Sequence, residues 1–191
     1  MRKRGLRLGE SERHLFPPIP LSPMAEGGRA ETSRPYVVRE LRKEDIRRGF
    51  LETLLNLSEV SPQLIELHEK IFEQRRRLRL TYGGRRIPVY YTVVAVWRNS
   101  EVIATATLLT ELKHIHDGGL VGHVEDVSRR AGPQYRGLGA GRACVEELIR
   151  FGREIGCYKI VLDCSEKNVP FYESLGFRRH EVGMRLDLPR R

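Results

Sequence analysis

Two hydrophobic periods alternate along this chain. Val89 to Trp97 is β-branched and aromatic, and Val102 to Thr110 repeats that character after the polar Arg98-Asn99-Ser100-Glu101. The two runs predict a β-hairpin. Tyr36 to Leu41 and Leu120 to Val127 predict two more strands, and Lys159 to Cys164 a buried one. Gly176-Phe177 turns into a last strand reaching about Leu188. Between them the period lengthens. Arg42 to Asp45 opens a helix carrying Ile46, Phe50, Leu54 and Leu57, closed by Ser58. Ser61-Pro62 has the form of an N-cap with proline at the first helical position, ahead of Leu64, Leu67, Ile71 and Phe72. That helix runs into the basic Arg75 to Arg79, and Gly83-Gly84 marks a turn. Ala143, Val145, Leu148, Ile149 and Ile155 form a further helix, with Gly156 at C′. Asn168 caps a short helix, Val169 to Leu175. The order β, α, α, β, β, β, α, β, α, β mixes hairpins with crossovers, which predicts an α+β fold around one sheet.

Residues 35–191 form one domain on this reading; residues 1–34 do not join it. The first stretch carries Phe16-Pro17-Pro18-Ile19-Pro20, no sustained period and no apolar segment behind its basic start. It reads as a disordered extension and not as a secretory signal. Arg7-Leu8 and His14-Leu15 are separated by five residues, the spacing of a type-2 peroxisomal targeting signal. As a helix this segment would set Leu8 and Leu15 on one face toward an import receptor. The expected address is a peroxisome or glycosome; the alternative is the cytoplasm, and a start at Met24 would remove the signal.

Composition narrows the chemistry. A hydrophobic fraction of 40% supports a core, and 31% charged residues support solubility. The net charge of +9 leaves nucleic acid, anionic membranes and phosphorylated small molecules as partners. No zinc-finger, RRM or basic-zipper pattern organises the arginines, so the expectation is a solvated basic face with neither nucleic acid nor membrane as partner. The three cysteines, Cys144, Cys157 and Cys164, lack a C-x-x-C pair and are odd in number. They are expected to be reduced thiols of an intracellular protein. Cys164, beside Asp163, reads as a small core side chain, with a catalytic thiol as the competing reading.

The most informative stretch is Gly122 to Arg142. An apolar strand ends in Glu125-Asp126, and Arg136-Gly137-Leu138-Gly139-Ala140-Gly141-Arg142 then opens a helix. A glycine-rich turn at a helix N-terminus offers unpaired N–H groups and a favourable dipole to an anion. Alternation along a strand would send the adjacent Glu125 and Asp126 to opposite faces. His114 and His116 suggest a metal, but no third ligand has suitable spacing, so none is expected.

The element order together with Arg136 to Gly141 resembles the GNAT acetyltransferase superfamily, whose acetyl-CoA motif is Gln/Arg-x-x-Gly-x-Gly/Ala. Four separated blocks sharpen the resemblance: Gly122 to Val127, Gly156 to Ile160, Leu162-Asp163-Cys164 and Asn168 to Glu173. Together they resemble the eukaryotic glucosamine-6-phosphate N-acetyltransferases from about residue 36 onward. The resemblance implies a mixed, mostly antiparallel sheet flanked by helices. It also implies direct acetyl transfer from acetyl-CoA to D-glucosamine 6-phosphate in a ternary complex, feeding UDP-N-acetylglucosamine synthesis. It implies that Arg136 to Arg142, Asn168 and Tyr172 meet the CoA, and that Val127, Ser128 and Arg129 pair with its pantetheine arm. Ser58, Lys113, His114, Ile115, His116, Glu125, Asp126, Val127, Tyr158, Lys159 and Asp163 would meet the sugar phosphate. Glu125 would relay the amine proton, Asp163 orient the amine, and Tyr172 serve the leaving thiolate. An intertwined homodimer would share the sugar site across its interface.

Two departures from the family pattern stand out. Ser128 to Gln134 is longer and more basic than usual, which shifts the expected pantetheine contacts. The phosphate arginine expected three residues after a methionine is replaced by Asp187, with Arg185 as the nearby substitute. The competing functions are a GNAT enzyme acting on another small-molecule or peptide amine, and a basic nucleic-acid-binding module.

Overall fold

A computed structural model describes residues 34–98 and 100–189. The extension with Arg7-Leu8 and His14-Leu15 lies outside the described residues. The elements are β1 (Tyr36–Glu40), α1 (Phe50–Leu54), α2 (Ile65–Arg75), β2 (Arg79–Tyr82), β3 (Arg85–Pro88), β4 (Tyr90–Trp97), β5 (Glu101–Leu112), α3 (Ile115–Gly118), β6 (Leu120–Arg129), α4 (Ala140–Ile155), β7 (Cys157–Val161) and α5 (Val169–Glu173). Five strands form one sheet in the order β1-β4-β5-β6-β7, and β2-β3 form a separate hairpin. Every pairing in the large sheet is antiparallel except β6 with β7, which α4 connects as a crossover. The α+β fold with a mixed, mostly antiparallel sheet is the one expected.

The unbroken apolar run of β4 follows from burial on both faces. Val93 and Ala95 pack toward α4 with Leu108, Cys144, Val145 and Leu148. Val94 and Val96 pack on the other face with Leu41, Val102, Phe50 and Phe72. A strand covered on both sides has no polar face to alternate with. Beneath the first face α4 buries Ala140, Cys144, Leu148, Gly152 and Ile155, three or four residues apart. Gly156 ends it in the left-handed region at φ 90°, as its C′ reading requires.

The first expected helix is broken in two. A 3-10 turn over Lys43–Arg47 stops at Gly49, whose φ is 99°. A side chain there would place Cβ 2.9 Å from the carbonyl of Val102, so close approach to β5 ends the helix. Asp45 in that turn is fully buried yet satisfied: Arg39 donates to both carboxylate oxygens at 2.6 and 2.8 Å, and the Arg42 N–H donates at 2.8 Å.

Four other expectations need correction. Ser61-Pro62 does not cap α2; Ser61 accepts the Leu64 N–H in a turn at 2.9 Å, and the helix starts at Ile65. The β2-β3 hairpin was not expected, because arginines fill its outward positions; Gly83 and Gly84, both at positive φ, turn it. β7 is shorter than expected and half-exposed, being the sheet's edge strand. Beyond Gly176 no strand forms among the described residues: Val182, Met184, Leu186 and Leu188 are 88%, 95%, 84% and 76% exposed. A strand exists only where an edge pairs with it, and this segment pairs with none among the described residues.

Candidate active site

The glycine loop is held from one side and open on the other. The Tyr36 hydroxyl donates to the Leu138 carbonyl at 3.0 Å. Gly137 and Gly139 have φ near 72° and 73°, a region that favours glycine. A Cβ at Gly137 or Gly141 would meet nothing within 4 Å, so open space lies over the backbone. The first intrahelical bond of α4 is Ala143 N–H to the Gly139 carbonyl, 3.0 Å, and no side chain caps the helix. The N–H groups of Ala140, Gly141 and Arg142 therefore have no acceptor among the described residues. This cradle fits a pyrophosphate by shape and by dipole. Arg142 is partly used inside the protein, paired with Glu146 at 3.2 Å and bonded to Ser174, which ties α4 to the end of α5. Arg136 is exposed at the loop's entrance.

Next to the loop the sheet splays. β6 and β7 pair from Leu120/Cys157 only as far as His123/Val161. Past that point β6 keeps its antiparallel partner on the β5 side, with Arg129 opposite Ala104, while no strand among the described residues lies beside its other edge. Glu125 on β6 and Asp163 just beyond β7 flank the opening. An open strand edge offers N–H and C=O groups to an amide-bearing chain such as pantetheine.

A β-bulge lies in the middle of that edge. Thr107 faces Glu125 and Thr105 faces Ser128, so two steps on β5 match three on β6. Asp126 takes up the extra residue at φ 54°. This overturns the opposite-faces reading of Glu125 and Asp126. Glu125 shares the face of Thr107, which hydrogen-bonds Thr92 at 3.0 Å, and both Thr92 and Asp126 line one cavity under α2. The cavity encloses about 250 Å³, with Leu41, Phe50 and Phe72 as its apolar wall. Arg75 closes it, 3.6 Å from Asp126 and stacked 4.6 Å over Tyr90.

The long connection after β6 is folded back on the sheet. Tyr135 is buried, donates to Glu101 at 2.8 Å and meets Trp97 edge to face at 5.3 Å. Arg130 pairs with the same Glu101. The Ser128 side chain is turned inward to the Thr53 carbonyl, so its hydroxyl serves α1 and not the pantetheine. Asn56 donates to the Arg129 carbonyl at 2.5 Å, again joining α1 to β6. Ser58 is exposed just beyond.

Tyr172 is buried against Phe171 and Phe177, with ring centroids 4.9 and 5.9 Å away. Burial raises its phenol above the ordinary tyrosine value, with nearby Cys164 adding to the shift. The group therefore stays protonated and able to donate. Asn168 occupies the N-cap position of α5, without a side-chain capping bond. Cys164 is exposed, which corrects the core reading, whereas Cys144 is buried with its thiol pushed up to about 12. Burial pushes Cys157 up to about 11.

Three of the expected sugar-phosphate residues, His116, Tyr158 and Lys159, gather at the far end of the same strands. His116 lies 4.3 Å from the Tyr158 ring, and Lys159 5.8 Å. Lys113 is paired with Glu111 at 2.7 Å. His114 and Ile115 lie in the same tight turn, where His116 and Asp117 take positive φ. Arg185 is bound to Asp187 at 2.5 Å in the exposed C-terminal segment. Since Lys159 faces Val121, the cluster sits about 13–17 Å down the strands from Glu125, taking about 3.3 Å per residue. Reading the sequence missed Tyr36 and Arg75, whose roles appear only when distant segments meet.

Residues 40–177 match the acetyltransferase (GNAT) family model. The chain belongs to the GNAT acetyltransferase family. It is 40% identical to a glucosamine 6-phosphate N-acetyltransferase of Trypanosoma brucei brucei, covering 79% of this chain and 95% of that one. A glucosamine 6-phosphate N-acetyltransferase of Dictyostelium discoideum is 36% identical, with 79% and 90% covered. The crystal structure of the Arabidopsis thaliana glucosamine-6-phosphate N-acetyltransferase superposes with a TM-score of 0.71 at 30% identity, covering 81% of this chain and 99% of that one. No group of three His, Cys, Asp or Glu residues suited to a metal occurs among the described residues, and none of their helices is long and apolar enough to cross a membrane.

Proposed function

We propose that this GNAT enzyme transfers acetyl from acetyl-CoA to the 2-amine of D-glucosamine 6-phosphate, by direct transfer in a ternary complex. The product would be N-acetyl-D-glucosamine 6-phosphate, on the route to UDP-N-acetylglucosamine. The observation that carries the reading is the splay: an uncapped glycine loop, an open strand edge and two carboxylates converge where β6 and β7 part. The relatives named above support the choice of acceptor.

When bound, acetyl-CoA supplies an activated acetyl thioester. The backbone N–H groups from Gly137 to Arg142 bind the pyrophosphate, and the free edge of Val127 to Arg129 aligns the pantetheine. Glu125 and Asp126, brought to one face by the bulge, bind and orient the sugar. Asp163 orients the amine and favours its approach as ammonium, so it is a poor base for the same proton. Tyr172 donates its proton to the departing sulfur. Thiol release measured with glucosamine 6-phosphate, glucosamine and glucosamine 1-phosphate tests the reading. Release with the first alone supports it, and equal release with all three removes the 6-phosphate assignment.

The working unit is a homodimer on this reading. The His116, Tyr158 and Lys159 cluster lies farther from Glu125 than a hexosamine phosphate spans, so His116 and Lys159 serve the site of a second copy. The unpaired apolar segment from Val182 to Leu188 and the β7 edge are the surfaces that a second chain would cover. Light scattering coupled to size exclusion should give twice the chain mass; a monomer at assay concentration refutes this. We also propose import into a peroxisome or glycosome through Arg7-Leu8 and His14-Leu15. A fluorescent fusion of the whole chain should be organellar and become cytosolic with Arg7→Ala plus His14→Ala, whereas identical distributions refute it.

A further inference from the structure

An amine attacks a thioester only when neutral, and carboxylates are weak bases toward an ammonium. Imidazole is the side chain matched to proton transfer near neutral pH. His123 stands two residues before Glu125 on β6, on the same face of the strand, at the last paired position before the splay. Its Nε2 is 2.9 Å from Oε2 of Glu111 on β5. The same oxygen accepts the Lys113 ammonium at 2.7 Å. The Lys113 and His123 hydrogen bonds hold the Glu111 carboxyl below the usual carboxylate range, so it is a charged acceptor. A carboxylate at Nε2 fixes the N–H on that nitrogen and leaves a lone pair on Nδ1. The ring is 30% exposed and so reaches solvent.

We infer that the His123–Glu111 pair takes up the proton lost by the acceptor amine, so that His123 is a proton-relay residue acting through Glu125 or a water. Two N–H protons leave the ammonium during acetylation. The first passes to Nδ1 of His123 and from there to solvent, and the amine lone pair then forms the C–N bond. The C–S bond breaks with its electrons on sulfur, which takes the Tyr172 proton. The second N–H proton, lost as the amide forms, restores the phenol. Glu111 stabilises the imidazolium that exists between the two transfers. The charged groups around the ring are Glu111 and Lys113 from β5 and the turn after it, Glu125 on its own strand, and Lys159 and Asp163 two residues either side of Val161.

This inference rests on the acetyl-transfer reading above. The test pairs the pH profile of kcat/KM for glucosamine 6-phosphate with an NMR titration of the His123 imidazole in the ligand-free protein. In the wild-type enzyme the acid limb should coincide with the imidazole titration. In Glu111→Gln any movement of the imidazole titration should be matched by the acid limb. His123→Gln should lower kcat about 10–100-fold and abolish that limb while the acetyl-CoA Kd is unchanged. The relay is overturned if Glu111→Gln moves the imidazole titration and leaves the acid limb in place, or if His123→Gln keeps the wild-type profile. If the wild-type enzyme acetylates no glucosamine 6-phosphate, the acceptor assignment falls and the relay with it; transfer with a limb indifferent to His123 removes the relay alone.

Discussion

The two flanks of the β6–β7 splay are built differently. On the donor flank, α4 buries Cys144, Val145 and Leu148 completely, Tyr36 pins Leu138, and Arg142 is tied to Ser174. All of these contacts lie within one chain. On the acceptor flank, β7 is a half-exposed edge, and the segment after Gly176 leaves Val182, Met184 and Leu186 in solvent. The cations expected there are paired with neighbours or lie several residues from Glu125. The difference teaches that one chain places the donor-side elements together, while on the dimer proposed above the acceptor side would acquire its cations and its cover from a second copy.

Substitutions on each flank should therefore fail in different ways. The largest effect is expected from Leu148→Ala, which opens a void beneath the fully buried centre of the sheet. It should cost about 3–4 kcal/mol of stability, read by denaturant unfolding with its slope unchanged. Gly139→Val should come next. A β-branched residue is strained at φ 73°, and acetyl-CoA affinity should fall about 100-fold by calorimetry while the dimer mass stays the same. Tyr172→Phe should lower turnover about 10–100-fold with the acetyl-CoA Kd within about twofold. Unchanged turnover would remove its leaving-group role. Because burial raises this phenol, the wild-type alkaline limb should lie above the ordinary tyrosine range of about 10. The smallest effect concerns thiols. Iodoacetamide at pH 8 should label the exposed Cys164 first and spare Cys144, whose thiol is pushed up to about 12. Fast labelling of Cys144 would mean that the donor flank is looser than its packing implies.

The donor flank was largely legible in the sequence and the acceptor flank was not. Ala143, Leu148 and Ile155 carry their spacing openly, and Gly139 and Gly156 mark both ends of α4. Glu125-Asp126 misled because strand alternation is a default that the bulge cancels, and nothing in the residues themselves announces Asp126 at positive φ. The helix break at Gly49 depends on the Val102 carbonyl, a distant partner in the sequence that no local pattern contains. Met184 and Leu186 have the composition of a strand, but composition cannot say which chain supplies the edge. His123 sat inside the motif that drew attention to Glu125, yet its partner Glu111 is on another strand.

The division of labour is tested most directly by mixing two inactive enzymes. Glu125→Gln removes a residue from the splay, and Lys159→Glu removes a cation from the far cluster. Each homodimer should be nearly inactive in glucosamine 6-phosphate acetylation. Exchanged at equal amounts, half of the dimers carry one intact site, so about a quarter of wild-type activity should return. A mixture as inactive as its parents, with subunit exchange verified by mass, would contradict a site shared between two chains.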